Sequence, residues 1–222
     1  MLPLQIGEIA LACKGEAHGE AQVTSVCIDS RKISQGCLFI AIKGDRFDGH
    51  DFVEKAFEEG AAAVMVHRDI HCRGPYVRVA NTREALLRLA GYYRQFFQIP
   101  VVGLTGSVGK TTTKEMTAAV LSKRYKTLKN EGNLNNEIGM PMTAFGLDLS
   151  YGAAVFEMGM SGFGEIARMA RAAAPTVGII TNIGVSHMEQ LGSRENIRKA
   201  KLELLDGKVG GQAVLGRQPS QA

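Results

Sequence analysis

Over the first 82 residues short apolar runs alternate with polar turns, and the runs at 23–28, 37–42, 61–66 and 76–79 predict strands. Val53, Ala56 and Phe57 fall at helical spacing between the second and third runs, and Gly60 ends that helix. From Thr82 onward Leu86, Leu89, Ala90, Tyr93 and Phe97 line one face of a long helix that Pro100 closes. This pattern predicts a small α/β domain over 1–82, a linking helix over 83–99 and a second domain over 100–222.

The second half is more regular. Strands are predicted at 101–104, 125–128, 153–156, 177–183 and near 213–215, with helices over 110–123, within 136–145, and over 164–173 and 194–205. Strands that alternate with helices and read as unbroken apolar runs predict a parallel sheet covered on both faces. The expected fold class is therefore α/β: a small N-terminal domain followed by a P-loop parallel-sheet domain that stops early, at the small polar tail 216–222.

Composition narrows the function classes. Of 222 residues, 45% are hydrophobic and 22% charged, which is ordinary for a globular chain and excludes disorder, collagen and coiled coil. No apolar stretch reaches the roughly 20 residues of a membrane-spanning helix, and the first ten residues lack a leader pattern. Cys13, Cys27, Cys37 and Cys72 have neither CxxC spacing nor the density of a disulfide framework, so reduced thiols in a cytoplasm are expected. The formal charge is +4, with basic residues scattered among acids, so no nucleic-acid partner is expected.

The strongest chemical signal is Thr105, Gly106, Ser107, Val108, Gly109, Lys110, Thr111 and Thr112, between a predicted strand and a predicted helix. The strict pattern GxxxxGK[ST] fails by one residue, because Leu104 stands where its first glycine belongs. The physics survives: glycines let backbone N–H groups turn toward phosphate oxygens, the helix presents its positive end, Lys110 neutralises outer phosphates and the Thr111 hydroxyl suits Mg2+. The bland alternative is a glycine-rich turn that caps a helix.

In a parallel sheet the C-terminal strand ends share the edge where ligands bind. Glu157 follows a strand there and could hold a nucleotide's Mg2+, or be a surface acid. His187, in a loop past the fourth strand, could ligate a second metal or be merely solvated. Lys201 lies four residues after Ile197 on the buried stripe of its helix, either snorkelling or a desolvated amine with a lowered pKa. Asn135 and Asn136, in an amide-rich loop, suit caps and turns or a polar substrate.

These motifs carry a resemblance. The chain resembles the Mur ligases of peptidoglycan synthesis through Asp29-Ser30-Arg31, the stretch GDRFDGH from Gly44, TGSVGKTTTKEM from Thr105, NLNNEIGMP from Asn133, EMGM from Glu157, TNIGVSHME from Thr181 and AKLE from Ala200. MurE and folylpolyglutamate synthetase share such a shortened loop; KTTTKEM together with NLNNEIGMP and EMGM favours the branch that adds D-alanyl-D-alanine to UDP-N-acetylmuramoyl-tripeptide. The resemblance implies an ATP-dependent amide ligase in the cytoplasm, acting as a monomer on those two substrates. It implies UDP-sugar binding by residues 1–82 near Ser30 and Arg31, and ATP phosphates on Lys110 and the loop amides. It further implies Mg2+ on Thr111 and Glu157, a second metal at His187, substrate or nucleotide near Asn135 and Asn136, and carbamylation of Lys201, although Leu202 replaces the glycine usual in that motif. A third, C-terminal domain of that family is not represented, so a truncated two-domain piece is expected. A MurE-like ligase, a phosphotransferase and a non-catalytic UDP-sugar or nucleotide-binding fragment are the rivals.

Overall fold

The computed structural model describes residues 1–207 and 212–216, so the expected tail beyond Gly216 lies outside the described residues. The chain divides into two compact units, Met1–Tyr92 and Tyr93–Ala222.

The first unit opens with elements that the apolar pattern did not announce: β1 (Leu4–Gln5), α1 (Ile6–Cys13) and β2 (Glu16–His18). Helix α1 buries Ile6, Ile9, Ala10 and Cys13, one stripe at 3.6-residue period. The Glu8 carboxylate accepts from the Gln5 N–H at 2.8 Å, and left-handed Lys14 ends the helix. The apolar run expected at 23–28 is divided: β3 (Gln22–Val23) pairs antiparallel with β1, whereas β4 (Ser25–Cys27) joins the main sheet. The Thr24 N–H donates to the Gly36 carbonyl at 3.0 Å at that break.

β5 (Cys37–Ile40), α2 (Val53–Glu58), β6 (Ala63–Val66), β7 (Tyr76–Arg78) and α3 (Thr82–Arg94) complete the unit. The sheet runs β2-β7-β6-β5-β4, parallel throughout except at β2. The Asn81 side-chain oxygen caps α3 by accepting from the Arg83 and Glu84 N–H groups at 2.9 and 3.2 Å. Phe97 is buried as its spacing predicts, yet α3 ends at Arg94, whose buried guanidinium donates to the Phe97 and Ile99 carbonyls and turns the chain.

The second unit contains β8 (Val101–Thr105), α4 (Lys110–Leu121), β9 (Thr127–Lys129), α5 (Gly139–Ala144), β10 (Ala153–Glu157), α6 (Glu165–Ala173), β11 (Val177–Ile180), α7 (Met188–Leu191), α8 (Arg194–Leu202) and β12 (Gln212–Leu215). The sheet order is β12-β11-β8-β10-β9, all parallel. Every residue of β8 and β10 is buried, which explains their uninterrupted apolar character. Val102, Leu104 and Val155 pack against Ala118 of α4, and burying each such aliphatic side chain stabilises by about 1.5–3 kcal/mol.

Strand β11 ends at Ile180, three residues before its apolar pattern does, because residues 181–184 turn to bond the loop after β8. The Glu203 carboxylate, just past α8, accepts from the Gly164 and Ala167 N–H groups at 2.8 and 3.2 Å and so caps α6. Among the described residues no helix is long and apolar enough to cross a membrane.

Candidate nucleotide site

Central strand β8 delivers the chain into the glycine loop with neighbours β10 and β11 on either side, so the loops after all three strands open on one edge. Gly109, at φ +79°, turns the chain into α4. Among the described residues the N–H groups of Gly109, Lys110, Thr111 and Thr112 meet no protein acceptor, and they sit at the positive end of a 12-residue helix. This is a cradle for an anion. The Lys110 ammonium folds back onto the Gly106 carbonyl at 3.0 Å.

Glu157, at the end of β10, is 2% exposed. Its Oε2 accepts from the Thr111 hydroxyl at 3.0 Å, and its Oε1 accepts from the Asn135 amide at 2.9 Å. Thr111, Glu157 and Asn135 are thus drawn into one cluster, each with a hard oxygen. Asn136 is spent differently: its side-chain oxygen caps the turn into α5, accepting from the Ile138 and Gly139 N–H groups at 3.1 and 2.8 Å.

Two residues that sequence reasoning missed support this cluster. Lys114 is 1% exposed and lies one turn past Lys110 on α4. Its ammonium donates to the Asn130 carbonyl at 2.7 Å and stands 3.9 Å from Glu157 Oε2. Asn130 is wholly buried, with its side chain accepting from the Glu157 N–H at 2.9 Å and donating to the Glu157 and Leu134 carbonyls at 3.0 and 2.8 Å. For Lys114 the advance signal was a lysine at i+4 from Lys110, on the face that meets the sheet, and for Asn130 it was its place at the head of the amide-rich loop 130–137.

His187 is exposed with a left-handed backbone, φ +63°. Partial burial, then the charges of Lys201 and Lys110, lower its pKa, so the three groups share one electrostatic neighbourhood. Lys201 is 2% exposed, and among the described residues its ammonium forms no hydrogen bond or ion pair. Burial, then the Lys110 charge, lowers its amine to about 8. The described residues contain no cluster of three or more His, Cys, Asp or Glu able to hold a metal ion.

Ser30 and Arg31 belong to the first unit, after β4. Arg31 is committed within its own turn: Nε and Nη2 donate to the Asp29 carboxylate at 2.9 and 2.8 Å, holding that carboxyl well below the usual carboxylate range.

The comparisons agree with this arrangement. Residues 104–220 match the Mur ligase middle domain, and residues 22–94 match the Mur ligase family catalytic domain. The UDP-N-acetylmuramoyl-tripeptide--D-alanyl-D-alanine ligase of Bacillus subtilis (strain 168) is 45% identical over 214 residues, covering 93% of this chain and 47% of the relative. Its Escherichia coli (strain K12) counterpart is 41% identical, covering 93% and 46%. A crystal structure of MurF from Acinetobacter baumannii superimposes with a TM-score of 0.92 at 36% identity, over 98% of this chain and 49% of that one. MurF from Thermotoga maritima in complex with ADP gives 0.82 at 34% identity, over 87% and 45%. The chain spans about half the length of the curated relatives it matches. With a matched middle domain over more than half its residues, the chain belongs to the Mur ligase family.

Proposed function

We propose that this chain carries the UDP-substrate unit and the ATP unit of a cytoplasmic ligase that joins D-alanyl-D-alanine to UDP-N-acetylmuramoyl-tripeptide. The observation that carries the reading is the set of unfilled N–H donors at 109–112 beside Lys110 and the Thr111–Glu157 pair. The D-alanyl-D-alanine ligase names of the relatives, and the ADP held by a structural neighbour, support the choice of substrates and nucleotide.

In this reading the substrate's terminal carboxylate attacks the γ-phosphorus of ATP and ADP leaves, giving an acyl phosphate. The dipeptide amine then attacks the acyl carbon and inorganic phosphate leaves. A carboxylate is a poor electrophile, and phosphorylation supplies the leaving group. Lys110 releases the Gly106 carbonyl to follow the transferring phosphoryl group, and the 109–112 N–H groups hold the remaining phosphates. The hydroxyl of Thr111 and the carboxylate of Glu157 fit Mg2+, which takes one or two protein oxygens together with phosphates and water. Such an ion neutralises charge that develops on the phosphoryl oxygens.

His187 provides a single nitrogen toward a second metal, and the buried Lys201 amine would complete that side as a carbamate. Its unprotonated nitrogen adds to CO2 and loses one proton, which turns a cation into an anion. Asn135 orients Glu157, and Ser30 with Arg31 faces the UDP-sugar. The chain acts as a monomer.

Incubation with Mg-ATP and UDP-N-acetylmuramoyl-tripeptide, with and without D-alanyl-D-alanine, tests the reading through ADP release and product mass. Amide product that requires both substrates is the expected result. Product with a single amino acid in place of the dipeptide would indicate a MurE-like ligase, a phosphorylated product without an amide a phosphotransferase, and substrate binding without ADP a non-catalytic fragment.

A further inference from the structure

The phosphate loop is held by something other than its glycines. The Ser107 N–H donates to both oxygens of Asn182, the side-chain Oδ1 at 3.0 Å and the backbone carbonyl at 3.2 Å. The neighbouring Val108 N–H donates to the same Oδ1 at 2.9 Å. On the same segment the Thr181 hydroxyl donates to the Val108 carbonyl at 2.7 Å, and the Gly184 N–H donates to the Ser107 hydroxyl at 2.9 Å. A Cβ at position 106 would lie 1.9 Å from Thr181 Oγ1, so that glycine exists to admit the segment. The Arg194 Nε donates to the Ile183 carbonyl at 3.1 Å, tying the same segment to α8.

We propose that Asn182 is the positioning residue of the phosphate loop, a bracket whose one amide oxygen takes two consecutive loop N–H groups and leaves those of 109–112 for the ligand. The alternative in which the Ser107 and Val108 N–H groups themselves face an anion is closed while Asn182 holds them. The inference rests on the nucleotide reading above and deepens it, because it divides the loop donors into a structural pair and a ligand-facing set. Two hydrogen bonds to one oxygen also fix the loop's twist, which a single bond would leave free. Asn182 does not touch the phosphates in this arrangement; it acts through the loop.

Asn182→Leu and Asn182→Asp distinguish this role from mere stability. Leucine keeps the size and loses the acceptor. Aspartate keeps an acceptor at the same place and adds a charge repelled by phosphates. In the ligand-free chain, amide exchange followed by NMR is expected to be slow at Val108 in the wild type and Asn182→Asp and fast in Asn182→Leu, whereas Ser107 retains the backbone carbonyl of residue 182 in all three. Binding of a fluorescent N-methylanthraniloyl ADP is expected to weaken about ten- to a hundredfold in Asn182→Leu, from the loss of two well-formed hydrogen bonds. Asn182→Asp is expected to bind the triphosphate analogue proportionally worse than the diphosphate, because repulsion grows with phosphate charge. A protected Val108 amide in Asn182→Leu would overturn the bracket. Wild-type affinity in that variant would overturn the positioning role. Absence of binding in the wild type, with Lys110→Ala as the loop control, would sink the nucleotide reading and the positioning role together, while the exchange data still report on the bracket.

Discussion

Lys114 and Glu157 bury opposite charges 3.9 Å apart beneath the phosphate loop, each almost fully removed from water. The carboxylate would be costly to bury alone, and the ammonium compensates it while donating one of its N–H groups to the Asn130 carbonyl.

Lys114→Met should therefore destabilise the second unit by about 3–5 kcal/mol, because it leaves an uncompensated buried carboxylate. Urea denaturation of the purified variant measures this. A change below about 1 kcal/mol would mean that water replaces the ammonium.

Glu157→Gln keeps the shape of the cluster and removes its charge. The part of ADP affinity that depends on added Mg2+ should fall about ten- to a hundredfold, and the Mg2+-free part should stay near wild type. Titrations of fluorescent ADP with Mg2+ and with EDTA separate the two parts; an unchanged Mg2+ dependence would remove Glu157 from the metal.

Lys201 should be a stability defect. Its folded-state value of about 8 lies below the ordinary 10.5, so the folded chain binds this proton less tightly than the unfolded chain does. The ammonium thus costs stability at every pH below about 8, and the cost fades as pH rises from there toward 10.5. Lys201→Met should stabilise at pH 7 by about 2 kcal/mol, allowing for water near the amine, and the gain should shrink at pH 10. Urea curves at the two pH values check the sign, and an equal gain at both would refute titration as its cause.

Cys13 should be inert in the folded chain. Burial pushes its thiol up to about 12, and its Sγ donates to the Ala85 carbonyl at 3.4 Å. Iodoacetamide at pH 8 should leave Cys13 unmodified until urea is added, as read by peptide mass; rapid labelling of the native chain would contradict the burial.

Much of the second unit was legible because its strands are buried on both faces and its helices carry apolar stripes. Ile197, Ala200 and Lys201 share a buried face as their spacing predicts. Strands β1 and β2 were not legible, since they run for two and three residues, too short for a period to emerge, whereas the stripe of α1 between them was present in the sequence and went unread. The boundary of β11 failed for a different reason. Residues 181–183 read as strand, and the Thr181 N–H still reaches the Thr105 carbonyl of β8, but the Thr181 hydroxyl and Asn182 bond a loop 73 and 75 residues away, and no local pattern encodes that. Thr111 and Glu157 could be picked out by residue type and strand-end position. Lys114, Asn130 and Asn182 could not, because they touch the cluster or the loop from behind, through carbonyls and side-chain amides that a motif does not contain.

Helix α8 is anchored at both ends: Arg194 grips the segment behind the phosphate loop, and Glu203 holds the first turn of α6. A nine-residue rod pinned in this way has little freedom to slide or roll, so Lys201, near its far end, cannot retreat to solvent by local fraying. The backbone that carries its amine is thereby held against both neighbours. Any event that displaces it must first unfasten the start of another helix.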